Sequence, residues 1–155
     1  MRTVSYLSTG ERRTISSSTS KARSDAIIYG LCEIDNYADT IVAGSNYIVL
    51  SFTGQECNVT PYRDDYESVY NVPIANVATA WQCPNTGQMY VLVFHEVLWM
   101  GDTMQHSLIN PNQLRHYGVH VQDDPTSSRP LSIITESGDF AMKMQRKGTI
   151  ISFYR

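Results

Sequence analysis

Two long β-prone segments, 72–83 and 88–98, are separated only by Pro84-Asn85-Thr86-Gly87. That spacing constrains the fold more than any other feature. Proline and glycine at those places suit a tight reversal, so the two segments are expected to lie side by side as an antiparallel pair. Met89-Tyr90-Val91-Leu92-Val93-Phe94 is apolar at every position, which predicts a strand in the middle of a sheet with both faces covered. Shorter stretches of the same kind occur at Leu31-Cys32-Glu33-Ile34, at Tyr47 to Phe52 before Thr53-Gly54, at Glu56 to Thr60, and around 131–135 and 149–154. One helix is expected, over Pro111 to Tyr117, with Asn110 as its cap, Pro111 in its first turn and Gly118 as its stop. Short strands with turn punctuation and a single late helix predict an all-β domain.

A hydrophobic content of 42% is enough for a packed core. No apolar run approaches the roughly 18 residues of a membrane span, so no membrane partner is expected. Residues 1–24 are rich in Ser, Thr and Arg, and are expected to form a disordered basic tail ahead of a folded domain over 25–155. The tail is similar in composition to a mitochondrial transit peptide but lacks an amphipathic period. Arg2, Arg12, Arg13, Lys21 and Arg23 against Glu11 leave +4 in the first 23 residues, so a chain of net charge −3 carries −7 in the remainder. An acidic body repels phosphate backbones, which argues against nucleic-acid binding by the folded part. Cys32, Cys57 and Cys83 are odd in number and have no C-x-x-C spacing. That pattern suits free thiols in a reducing, intracellular and cytoplasmic setting better than disulfides or a zinc site.

The chemically informative stretch is Leu31-Cys32-Glu33-Ile34-Asp35-Asn36-Tyr37-Ala38-Asp39-Thr40-Ile41-Val42-Ala43-Gly44. An apolar strand delivers an acid into a small polar turn, and apolar residues resume at once. A carboxylate at a strand end is held firmly, as an acid or base in catalysis must be. The plainer reading is an aspartate that caps its own turn, and the pattern alone favours it. Downstream, Leu108-Ile109-Asn110 sets an apolar pair and a small residue before the helix.

Together these segments resemble the retropepsin family of aspartic proteases, specifically the protease region of copia-type retrotransposon polyproteins. The family's Asp-Thr/Ser-Gly-Ala is matched by Asp35-Asn36-Tyr37-Ala38. Phe94-His95-Glu96-Val97-Leu98-Trp99-Met100 resembles the copia segment that precedes the apolar pair, Leu108-Ile109, with Pro111-Asn112-Gln113-Leu114 opening the helix. The resemblance covers about 26–155. It implies a closed, mostly antiparallel β-barrel with one short helix, working as a homodimer on a peptide or polyprotein substrate without metal or organic cofactor. Each chain contributes one aspartate to a shared pair, here Asp35, with Asp39 as the fallback if the turn is shifted. By chain order the flap over the substrate falls in 61–71, where Tyr62, Tyr66 and Tyr70 would face the peptide; a plain solvent-facing hairpin fits as well.

Three departures bear on activity. Asn36 replaces the hydroxyl residue, Tyr37 replaces the glycine that lets substrate approach, and Asn110 stands where the second motif prefers glycine. They keep open a second reading, a catalytically silent module of the same fold for dimerisation or peptide binding. The final segment, Gly148 to Tyr154, is apolar and β-prone. It is expected to pair with its symmetry mate, or with residues near Ile27-Ile28, at a dimer interface.

Other constellations are weaker. His116 and His120 are separated by Gly118, which breaks the helix that would align them on a metal. His95 and Glu96 are strand neighbours whose side chains should diverge. No serine has nucleophile-elbow glycines. Trp81 and Trp99 suit a core or dimer contact better than a base-stacking platform.

Overall fold

The structure, a computed structural model, describes residues 30–60 and 65–154. The expected basic tail and Tyr62 lie outside these residues. Among the described residues there are eleven strands and one short helix: β1 (Leu31–Ile34), β2 (Val42–Gly44), β3 (Ile48–Val59), β4 (Val69–Gln82), β5 (Met89–Gly101), β6 (Ser107–Ile109), α1 (Pro111–His116), β7 (His120–Gln122), β8 (Ser132–Ile134), β9 (Ala141–Lys143), β10 (Gln145–Lys147) and β11 (Ile150–Tyr154). The fold is largely β, as the sequence predicts.

The sheet does not close. Eight strands run in the order β10-β11-β1-β6-β2-β5-β4-β3, and β7-β8-β9 form a separate small sheet. This corrects the expected closure into a barrel. The large sheet ends on three-residue β10 and twelve-residue β3, which do not pair with each other. Its pairings are mostly antiparallel, as expected, except that β1 runs parallel to β6 and β2 parallel to β5.

The Pro84–Gly87 reversal forms as expected. The Cys83 amide donates to Gln88 O at 2.8 Å, and the Gly87 amide to Cys83 O at 2.8 Å. β5 is central in order, between β4 and β2, but only one of its faces is covered. Tyr90, Leu92 and Phe94 pack on the core, whereas Met89, Val91 and Val93 are exposed. Its uniform apolarity therefore reflects β-propensity on the outer face as well as burial on the inner one. The two strands expected at 47–52 and 56–60 are one strand, β3, whose register against β4 shifts between Phe52 and Glu56. The Thr53 hydroxyl donates to Ile74 O at 3.0 Å there, so a side chain takes up a carbonyl at the irregularity.

The core lies between the large sheet and a cover made of α1 and the small sheet. Val77, Trp81, Ile109 and Phe153 come from the large sheet, Leu114 from the helix, Ile133 and Met142 from the small sheet. Phe140 closes one end, with its ring centroid 5.6 Å from Trp81 and 5.0 Å from Tyr90, both edge-on. Trp81 is thus a core residue, and Trp99 packs against the same core.

β11 pairs with β1 over Ser152–Tyr154 on one side and with β10 over Ile150–Ser152 on the other, and Phe153 is buried. Part of each edge is thus taken up within the chain, and removal of β11 would open the core; the alternative partner expected near Ile27-Ile28 lies outside the described residues.

Candidate functional site

The acidic turn sits where three strands meet. β6 inserts between β1 and β2, the strands on either side of the turn. It pairs parallel with β1, setting Ile34 beside Ile109, and antiparallel with β2, setting Val42 beside Leu108. The two segments that the resemblance couples, 35–38 and 108–110, are therefore adjacent. The Asp35 amide donates to Ile109 O at 3.0 Å, which ties the acid's own backbone to the second segment.

A buried polar network fixes this crossing. The Ser107 hydroxyl donates to Asn46 Oδ1 at 2.5 Å and accepts from the Gly44 amide at 2.9 Å. Asn46 Nδ2 donates to Leu31 O at 3.0 Å, and Asn46 O accepts from the Thr79 hydroxyl at 3.1 Å. Ser107 and Asn46 are buried, so each bond left unmade would strand a polar atom away from water. Gly44 is required on steric grounds, because a Cβ there would collide with the carbonyl oxygens of Met104 and His106.

Below the turn, α1 presents its N-terminus. Asn110 caps the helix, its Oδ1 accepting from the Gln113 amide at 2.8 Å, and its Nδ2 donates to Ala38 O. Gln113 Oε1 accepts from the Thr40 hydroxyl at 2.9 Å and from the Ile41 amide at 2.7 Å. Gly118, with φ of +80°, ends the helix region in the conformation a side chain would strain. Sequence reasoning found the cap but missed Gln113. The signal available was its place in the first turn of a helix that follows the second motif.

Asp35 is half-buried at the strand end, and Ala38 is packed beneath the turn. Asp35 Oδ1 accepts from the Tyr37 amide at 2.8 Å, so the carboxylate also caps its own turn. Asn36, Tyr37 and Asp39 are exposed, which leaves Asp35 better framed than the fallback. Leu108, Ile109 and Asn110 are buried as support rather than presented. Tyr66 and Tyr70 are exposed near the far end of the β3–β4 hairpin.

A cavity of about 570 Å³ lies elsewhere, between α1, β7 and β8, and is lined by Arg115, Val119, His120, Arg129 and Ile134 among others; no residue of the acidic turn lines it. The carboxyls held below their usual range are in loops of the small sheet. Asp124 is lowered by hydrogen bonds from Thr126, and Asp139 by those from the Ser137 and Thr135 hydroxyls. The Cys83 thiol is lowered by hydrogen bonding to Thr86, and burial raises that of Cys57. Among the described residues no group of three or more His, Cys, Asp or Glu side chains is arranged to hold a metal ion. None of their helices is long and apolar enough to cross a membrane. Comparison with protein-family models, with curated proteins and with solved structures finds no match for this chain.

Proposed function

We propose that this chain is one half of a retropepsin-like aspartic endopeptidase, with Asp35 as its single catalytic carboxylate and a polyprotein as its substrate. The observation that carries the reading is the adjacency of the acidic turn and the second motif, through the β1–β6 pairing and the bond from the Asp35 amide to Ile109 O. Strand order and hydrogen bonds thus couple the two segments that the resemblance couples, although 73 positions separate Asp35 from Leu108.

A single half-buried carboxylate on an open turn lacks the second acid that peptide hydrolysis of this type needs. In a homodimer, two copies of Asp35 about 3 Å apart would hold one proton between them, because both cannot ionise at that distance. The ionised member takes a proton from water as the water oxygen bonds to the scissile carbonyl carbon. The protonated member donates to the carbonyl oxygen, giving a tetrahedral diol. The now-protonated acid gives a proton to the amide nitrogen while the other carboxylate takes one from a diol hydroxyl, the C–N bond breaks to acid and amine, and the pair again holds one proton. The pair titrates as a unit. Since both sides of β11 are partly paired within the chain, the second copy would approach through the exposed turn, at Asn36 and Tyr37, rather than by strand addition there.

A second reading, a silent module for dimerisation or peptide binding, draws on one specific observation. The Asp35 carboxylate already accepts from the Tyr37 amide, and the Tyr37 side chain, 50% exposed, stands on the approach surface where the family has glycine. Incubation of a concentrated precursor with and without pepstatin separates the two. Inhibitor-sensitive cleavage supports the protease; peptide binding without cleavage supports the silent module.

A further inference from the structure

Gln113 and Asn110, side chains of the helix and its cap, reach the turn that presents Asp35 at three points, and the hydrogen bonds of Asp35 go to Tyr37 and Ile109 instead. From this geometry we infer that Gln113 is a positioning residue for Asp35, a role that rests on the protease reading for its catalytic meaning but not for its structural test.

Residues 36–40 have no regular pairing of their own between β1 and β2, so their amides and carbonyls need other partners, while the Ile41 carbonyl accepts from the Leu98 amide at 3.0 Å. At the entry, the Asp35 amide is satisfied by Ile109 O. In the middle, Ala38 O is satisfied by Asn110 Nδ2. At the exit, the Ile41 amide and the Thr40 hydroxyl both converge on Gln113 Oε1, at 2.7 and 2.9 Å. One side-chain oxygen therefore fixes two successive residues of the turn.

Gln113 is itself held. Its amide donates to Asn110 Oδ1, so Asn110 and Gln113 form a linked pair of which one end grips Ala38 and the other Thr40 and Ile41. Asn110, a departure from the glycine of the second motif, has a definite task in this arrangement. Between the entry and the middle lie Asn36 and Tyr37, where the Tyr37 amide is anchored by Asp35 Oδ1. Loss of the Gln113 acceptor leaves the Ile41 carbonyl on the Leu98 amide and loosens the Thr40 and Ile41 donors, which should disturb the Asp35–Tyr37 bond at a distance without removing a hydrogen bond of Asp35.

The test uses the full chain and three variants. Gln113→Leu keeps the volume and removes the acceptor, and Gln113→Glu keeps an acceptor oxygen at the same reach. The first readout is amide exchange and chemical shift by NMR. In Gln113→Leu, exchange at Ile41 should rise about tenfold, as expected for one lost hydrogen bond. The Tyr37 amide resonance should move as well, and Gln113→Glu should restore both. Faster exchange at Ile41 with an unmoved Tyr37 amide, or no change at Ile41, would overturn the proposal, since Gln113 would then only satisfy its neighbours. If Gln113→Leu does not fold, Thr40→Val removes one of the two donors and carries the same readout with a smaller shift at Tyr37. The second readout is peptide cleavage. Gln113→Leu should lower kcat by roughly 10–100-fold with KM almost unchanged, the mark of a misplaced reacting group, and Gln113→Glu should recover most of the loss. A change in KM alone would contradict positioning. Should the unmodified chain cleave nothing, the protease reading falls, while the exchange measurement still decides whether Gln113 holds the turn.

Discussion

The turn after β1 and the far end of the β3–β4 hairpin have similar compositions, small polar residues with aspartate and tyrosine, and are held in opposite ways. Residues 35–41 are supported by a second strand, by a helix cap and by Gln113, and rest on buried Ala38. At the hairpin, Tyr66, Val69 and Tyr70 are exposed, and Asn71, at φ of +56°, donates its amide to Asn58 Oδ1 at 3.1 Å. One region fixes the direction of a carboxylate. The other, over the described residues 65–71, leaves Tyr66, Val69 and Tyr70 exposed to water. On the protease reading proposed above, aligning the acid would draw on the first region and admitting a peptide on the second.

Substitutions that separate the two regions should give unequal effects. Asp35→Asn should reduce peptide hydrolysis by about 10²–10⁴-fold, the usual scale for a lost general acid or base. The fold should remain, because the asparagine oxygen can still accept from the Tyr37 amide; a cleavage assay with circular dichroism checks both. Phe153→Ala should lower unfolding stability by roughly 3–5 kcal/mol in urea titration, since β11 belongs to the core. A small loss there would return the C-terminal strand to the surface role that its sequence suggests. Ser107→Ala should cost about 1–3 kcal/mol, because Asn46 Oδ1 and the Gly44 amide would each lose a buried partner. At the hairpin, Tyr66→Ala and Tyr70→Ala should each stay within about 0.5 kcal/mol of the unmodified chain. Their effect, if the hairpin covers substrate, should be on KM.

Elements with local causes were legible in the sequence. The Asn110 cap, Pro111 and Gly118 bracket a helix that the structure places at Pro111–His116, and the Pro84–Gly87 reversal joins β4 to β5. β2 and β6 were not legible as strands. Each has three residues, too few for a periodic pattern, and each exists because it pairs with distant neighbours. The same holds for the partners of β11, whose apolar residues announce a strand and do not announce which edge it covers. Closure of a barrel is a still more distant property. It depends on whether the two end strands meet, and no residue pattern within β3 or β10 encodes that. At the site, Asp35 and the 108–110 segment were legible as parts, and the direct pairing of β6, which carries Leu108 and Ile109, with β1 that makes them neighbours was not. Gln113 was hidden for a related reason, because an exposed-type residue in a helix's first turn has no local sign of a partner more than seventy positions away.

The central claim is that two copies of Asp35 form one site, and subunit mixing tests it most directly. Unmodified and Asp35→Asn chains are combined in varying ratio at constant total concentration, allowed to exchange, and assayed on a peptide substrate. If catalysis needs both acids, mixed dimers are inactive, and activity should fall with the square of the unmodified fraction. Activity that falls in simple proportion would mean that each chain acts alone, and an unmodified chain that cleaves nothing would remove the protease altogether.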